Sequence, residues 1–237
     1  IENRSISTLK LNNNGLGIEG GRLIATSLQS AAEADPSKTL PNLQVIIMGR
    51  NRLEREAAGY ISDAFAVLPN LRELRMPQNG IRPDRIVPLL QSLGKHCSKI
   101  EVLDLQDNTF TKPGAVALAA ALPVWPHLRT LNIGDCLLGK LGSKVFFKAV
   151  TPATVSPHLE TLHFTFNEMD LAGAKMVPGV IAAHKGLKTV WLNGNTFSAD
   201  DAVVEEIRAA FRANGVTDGL DELEDMVSRS TFRCNHT

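Results

Sequence analysis

The run Ile100-Glu-Val-Leu103-Asp-Leu105-Gln-Asp-Asn108-Thr-Phe110, with Gly114 beyond it, fits the template L-x-x-L-x-L-x-x-N-x-L-x-x-x-G. The template returns from Ile6, Leu43, Leu71, Leu128, Leu159 and Leu187, so that successive starts lie 37, 28, 29, 28, 31 and 28 residues apart. One such unit cannot bury its apolar side by itself. Copies at this period must stack on one another and share a continuous core.

The template dictates the shape of each unit. Leu103 and Leu105 are two apart, as one buried face of a short strand requires, and Asp104 and Gln106 are expected on the opposite, outward side. The asparagine that follows (Asn14, Asn51, Asn79, Asn108, Asn167, Asn195) stands where the chain leaves the strand. Its amide can donate to and accept from backbone groups that would otherwise be buried unpaired. In the fifth unit Cys136 takes that place as a small buried thiol, structural and not reactive. A 28-residue period leaves room for a helix after each strand, which defines a leucine-rich repeat of the longer kind. The expected fold is α/β, a ribonuclease-inhibitor-like horseshoe with parallel strands on the concave face and helices on the convex face.

At 237 residues the chain exceeds the usual size of a single core, yet a solenoid adds its core unit by unit and needs no second domain. Residues 1–214 are expected to form the repeat domain, ending in a helix over 202–213 that covers the last unit, and 215–237 an acidic segment and tail. The formal net charge of zero argues against a nucleic-acid groove or an anionic membrane surface. Cys97, Cys136 and Cys234 form no metal or disulfide pattern, which points to a reducing compartment. No apolar run reaches the ~20 residues of a membrane span. The opening at Ile1 directly onto a strand, without a polar cap, leads us to expect further repeats upstream.

Within the units, Ala57, Ile61, Phe65 and Leu68 are expected to form the buried helix face of the second, and Val116, Ala119 and Leu122 that of the fourth. Pro69, Pro126 and Pro157 each stand two residues before a start and return the chain to the strand side. Pro88 and Pro178 fall inside expected helices, which should be kinked or displaced there. Ser198-Ala-Asp-Asp offers an N-cap to the last helix. Gly134 to Lys140 imitates a phosphate-binding loop, but Leu141 stands where Ser or Thr would hold magnesium. His127 and His158 recur at equivalent inter-repeat positions and are expected to pack locally. His163 faces outward without a partner at metal spacing, and Trp191 is either a partner anchor or packed on its neighbouring strand. No catalytic constellation of the chain's own, and no cofactor or metal set, emerges.

The turns carry more specific signals: Leu9-Lys-Leu-Asn-Asn13-Asn-Gly, Met48-Gly-Arg50-Asn-Arg52-Leu-Glu54, Pro77-Gln78-Asn-Gly-Ile-Arg-Pro83, Val102-Leu-Asp-Leu-Gln-Asp-Asn-Thr-Phe-Thr111, Asp135-Cys-Leu-Leu138, Leu192-Asn-Gly-Asn195 and Gly219-Leu-Asp-Glu-Leu-Glu-Asp-Met226. Together, from about Leu9 to Met226, they resemble the Ran GTPase-activating protein family. The resemblance implies that the partner is Ran in its GTP-bound form, with or without a Ran-binding protein. Ran brings the nucleotide, the magnesium and a glutamine that orients the attacking water. No arginine finger is implied. Instead an asparagine matched by Asn13 is placed beside that glutamine and restricts its rotamers, and Arg50, Arg52, Gln78 and Asp135 are implied contacts. Asp107, which like Asn13 stands just before a repeat asparagine, is included, although it reads more readily as a turn residue than as a contact. The family's arginine and lysine from earlier repeats have no counterpart here, and the chain ends in Ser228 to Thr237 where the family continues into a longer acidic tail. The resemblance also implies a monomer in the cytoplasm, with the nuclear-pore periphery in some lineages. Lacking an active site of its own, the chain is expected to be no enzyme but an activator of one. The alternative is a non-catalytic repeat scaffold that binds another protein regardless of the nucleotide it holds.

Overall fold

A computed structural model of the chain describes residues 5–35 and 37–223. Cys234 and the tail from Ser228 to Thr237 lie outside the described residues. Seven three-residue strands form one parallel sheet in sequential order: β1 (Thr8–Lys10), β2 (Val45–Ile47), β3 (Glu73–Arg75), β4 (Val102–Asp104), β5 (Thr130–Asn132), β6 (Thr161–His163) and β7 (Thr189–Trp191). The register places Leu9, Ile46, Leu74, Leu103, Leu131, Leu162 and Val190 side by side. From Ile46 onward this row is buried, and the template's start residues from Leu43 to Leu187 are buried behind it. Each strand contributes one apolar layer, and the layers add up to the continuous core that the period requires.

The helices pack behind the sheet: α1 (Gly17–Glu33), α2 (Glu54–Ala64), α3 (Pro83–His96), α4 (Thr111–Ala121), α5 (Gly139–Ala149), α6 (Leu171–Ala174), α7 (Val177–Ala183) and α8 (Ala202–Ala213). The predicted face of α2 and its 3-10 extension, Ala57 to Leu68, is buried as expected. The face expected on α4 is rotated. Val116 is 49% exposed and Ala119 half-buried, while Gly114, Ala115, Leu118 and Ala121 turn inward with Leu122. A helix made almost wholly of small apolar residues does not fix its own phase; the neighbouring helices do.

The two internal prolines behave differently. Pro178 sits in the first turn of α7, with the expected helix split between Ala174 and Val177. α3 runs unbroken through Pro88, where a missing N–H forgoes one bond in a helix held by buried Ile86, Leu89, Leu90 and Leu93. Asp201, not Ser198, is the residue preceding α8; its carboxylate accepts the Ser198 N–H at 2.7 Å and so closes the turn that leads into the helix. His127 and His158 are exposed, not packed, because the chain turns there outside the core.

The boundary expected after residue 214 falls later. Val190 N–H donates to the Gly219 carbonyl at 2.7 Å, and Leu220 bridges Val190 in parallel. The Asp221 carboxylate accepts the N–H groups of Leu192 and Asn193 at 2.7 and 2.9 Å, as carbonyls of a further strand would. The start of the acidic segment thus pairs with the outer edge of β7.

Candidate functional site

Between strand and helix the backbone must turn through a left-handed residue. One such residue precedes each repeat asparagine or its substitute: Asn13 (φ 59°), Arg50 (56°), Gln78 (53°), Asp107 (54°), Asp135 (53°), Phe166 (53°) and Gly194 (74°). The first six N–H groups each donate to a carbonyl of the next repeat, namely Gly49, Pro77, Gln106, Gly134, Thr165 and Asn193, at 2.7–3.0 Å. Such a backbone costs an L-residue other than Asn, Asp or Gly ~1–2 kcal/mol. Arg50 and Gln78 persist in it because the cross-repeat bonds on both sides fix the turn.

Directly beneath this column lies a ladder of buried carboxamides. Asn51 Nδ2 donates to the carbonyls of Leu11, Met48 and Gly49 at 2.7, 3.0 and 3.1 Å. Asn79, Asn108, Asn167 and Asn195 repeat the pattern, and their oxygens accept backbone N–H groups of the preceding unit. Cys136 fills the fifth rung, its Sγ donating to Leu105 and Gly134 carbonyls at 3.4 Å each. Burial drives its thiol far above the usual range, and burial pushes Cys97 up to about 12. Both are inert packing groups.

The predicted residues stand in one line along the turn edge. Asn13, Arg50, Gln78 and Asp135 are exposed, Asp107 is half-buried, and Arg52, also left-handed at 54°, is exposed two residues beyond Arg50. Burial, then the Asp135 charge, pushes the Asp107 carboxyl up, opposed by a hydrogen bond from Gln78 and by the Arg50 charge. Four adjacent repeats therefore feel one another through their column residues. The line is cationic at Arg50 and Arg52, anionic at Asp107 and Asp135, and apolar at Phe166, whose ring lies so close over Gly194 that a Cβ there would meet it at 2.2 Å.

Asn13 differs from the asparagines around it. Asn14 Nδ2 donates to the Asn12 carbonyl and Asn51 serves the ladder, whereas the Asn13 carboxamide makes no hydrogen bond among the described residues. Sequence reasoning passed over Asn12, whose Oδ1 accepts the Gly49 N–H at 2.6 Å. The signal was available at Ile47, which occupies the strand position where Asp104 and Asn132 accept the equivalent N–H of their own repeats at 3.1 Å.

On the concave floor, Asp104 is not solvent-facing as expected but 8% exposed, crowded by its neighbours and 3.9 Å from Arg75. Burial pushes its carboxyl up. Trp191 is both packed and open: it stacks on His163 with centroids 4.0 Å apart and planes 3° from parallel, yet stays 43% exposed. Gly134 to Lys140 is an ordinary repeat turn leading into α5.

A sequential parallel sheet backed by helices, with a carboxamide ladder under its turns, makes this a leucine-rich repeat protein. The leucine-rich repeat family model matches residues 2–25, 96–119 and 155–177. The chain is 35% identical over 215 residues to Ran GTPase-activating protein 1 of Saccharomyces cerevisiae, covering 87% of this chain and 52% of the yeast protein. It is 44% identical over 78 residues to Ran GTPase-activating protein 1 of Xenopus laevis (32% of this chain, 13% of that protein). Over 81 residues it is 46% identical to Ran GTPase-activating protein 2 of Caenorhabditis elegans (34% and 8%). The chain belongs to the Ran GTPase-activating protein family, and spans about half the length of the yeast relative. These names correct the expectation of no enzyme. Each relative is named for activating a GTPase, a catalytic role, because a group lent to another protein's transition state speeds the reaction and is recovered unchanged.

Proposed function

We propose that this chain activates GTP hydrolysis by Ran in its GTP-bound form, with the turn edge of repeats 1 to 5 as the docking line and Asn13 as the group that orients Ran's water-positioning glutamine. The single observation that carries this reading is the state of Asn13: exposed, held in a left-handed turn by its N–H to Gly49, and with its carboxamide uncommitted among the described residues. A carboxamide both donates and accepts, so it can pair with a glutamine amide and hold one rotamer ready for in-line attack. On this reading no arginine finger is used, and Arg50 and Arg52 serve docking with Gln78, Asp107 and Asp135. The chain acts as a monomer in the cytoplasm, extending to the nuclear-pore periphery in some lineages.

Single-turnover hydrolysis of GTP by Ran tests this. Acceleration by the chain, reduced on the order of a hundredfold by Asn13→Ala, supports it. Equal rates for the two remove Asn13 from the mechanism, and no acceleration by either removes the activity. A scaffold without catalytic function predicts binding that ignores the nucleotide Ran carries.

A further inference from the structure

Asn13 can orient another protein's side chain only as well as its own backbone is held. The bond from its N–H to the Gly49 carbonyl, 3.0 Å, depends on where Gly49 lies. On the side of the next repeat, Gly49 rests on Pro77 so closely that a Cβ would meet the ring at 2.8 and 2.9 Å, so a side chain there would force the ring aside. Its own N–H, however, lacks the partner found in other repeats. In the fourth and fifth units the N–H at this position is satisfied by a side chain two residues back, Asp104 or Asn132. Ile47 stands in that place in the second unit and cannot accept. The N–H instead donates to Asn12 Oδ1 across the repeat boundary at 2.6 Å. Asn12 and Asn13 thereby grip the two ends of one peptide residue, Gly49, one at its N–H and the other at its carbonyl. The result is a closed ring through residue 12, Gly49 and residue 13.

We propose that Asn12 is a positioning residue for Asn13, holding the left-handed turn of repeat 1 against Gly49 so that the Asn13 carboxamide meets Ran at a fixed angle. This rests on the function proposed above for Asn13. The requirement is an acceptor at Oδ1, not an amide, so Asp replaces Asn12 and Ala does not.

The test uses the full chain. With Ran as substrate, Asn12→Ala lowers kcat about tenfold with KM within about twofold, since orientation and not docking is lost. Asn12→Asp restores kcat. Added to Asn13→Ala, Asn12→Ala costs nothing further, because it acts through a group already gone. In the chain without Ran, amide hydrogen exchange at Asn13 and Gly49 quickens in Asn12→Ala and stays slow in Asn12→Asp, while the Arg50 amide, bonded to Pro77, is unchanged. If Asn13→Ala loses activity but Asn12→Ala keeps wild-type kcat or wild-type exchange, the positioning role is overturned and the Asn13 reading survives. If Asn13→Ala itself hydrolyses at the wild-type rate, the parent reading falls and this one with it. An additive loss in the double variant, or a change in KM alone, also overturns the proposal.

Discussion

The carboxamide oxygen of Asn51 accepts the backbone N–H of Asn14, 37 residues earlier, at 3.0 Å, while the same side chain's nitrogen holds three carbonyls. Stacking in this chain is thus specified one buried amide at a time, as well as by leucine contacts. A rung with a described repeat on both sides satisfies more groups than the exposed Asn14.

Asn108 shows what such a rung contributes. Its nitrogen donates to Met76, Leu105 and Gln106 carbonyls, at 3.0, 3.0 and 3.3 Å, and its oxygen accepts from Asn79 and Ile81 at 3.3 and 3.1 Å. Asn108→Ala strands these buried groups and is expected to cost about 3 kcal/mol in urea unfolding. Asn14→Ala, removing only a bond to the Asn12 carbonyl in an exposed turn, is expected to cost under about 1 kcal/mol. Equal costs would show that the ladder is not what couples the repeats.

Asp221 acts at the other edge. By imitating a further strand for Leu192 and Asn193 it pairs the outer edge of β7. Asp221→Ala should leave both N–H groups without their partner at a loss of about 2 kcal/mol. Because a solenoid unit contacts only its neighbours, exchange should quicken at Leu192 and Asn193 and remain slow at Leu74 and Leu103. Uniform quickening across the sheet would contradict this local role.

The order of strands, the buried rungs and Cys136 as a substitute were all legible in the spacing, because period and burial are the same constraint in a solenoid. The left-handed column was legible too, as the position before each rung. What the sequence hid was phase and compensation. The alanine-rich α4 could be rotated by its neighbours, Asp104 could be buried by the packing of adjacent strands, and Asp221 looked like part of a charged run when its carboxylate was serving as backbone. Asn12 escaped because its role exists only in relation to Ile47, 35 residues away.

Asp104 predicts a pH signature. Burial, the largest cause, raises its folded pKa above the ordinary value, outweighing its bond to the Gln106 N–H and the Arg75 charge. A raised folded value means that this carboxyl favours folding when protonated: its contribution is full below the unfolded value and is lost as pH rises through the folded one. Asp104→Asn keeps the oxygen that accepts from Gln106 and stays neutral throughout. The variant should therefore be more stable than wild type at pH 7, with the difference shrinking as pH falls through the raised value of Asp104. Thermal unfolding of the two proteins from pH 3 to 8 measures it. A variant less stable at pH 7 would mean that the Arg75 contact outweighs desolvation.

Arg50 and Asp135 occupy equivalent turns three repeats apart with opposite charge, and both are exposed. Exposed charges at the rim of a contact act mainly on the rate of encounter, and salt screens them beyond about 8 Å at physiological ionic strength. If Ran docks along this line, its facing surface carries acids opposite Arg50 and bases opposite Asp135. Arg50→Glu and Asp135→Lys should each slow association with GTP-loaded Ran about tenfold at low salt, with dissociation little changed, and the defects should fade as salt is raised. Combining the two reverses the polarity of the line and should be worse than either, since each new charge faces a like charge at its own end. Stopped-flow association over a salt series decides this. Rates unchanged by either reversal would place the docking surface elsewhere on the solenoid, and a defect independent of salt would mean that the turns had lost their left-handed geometry instead of their charge.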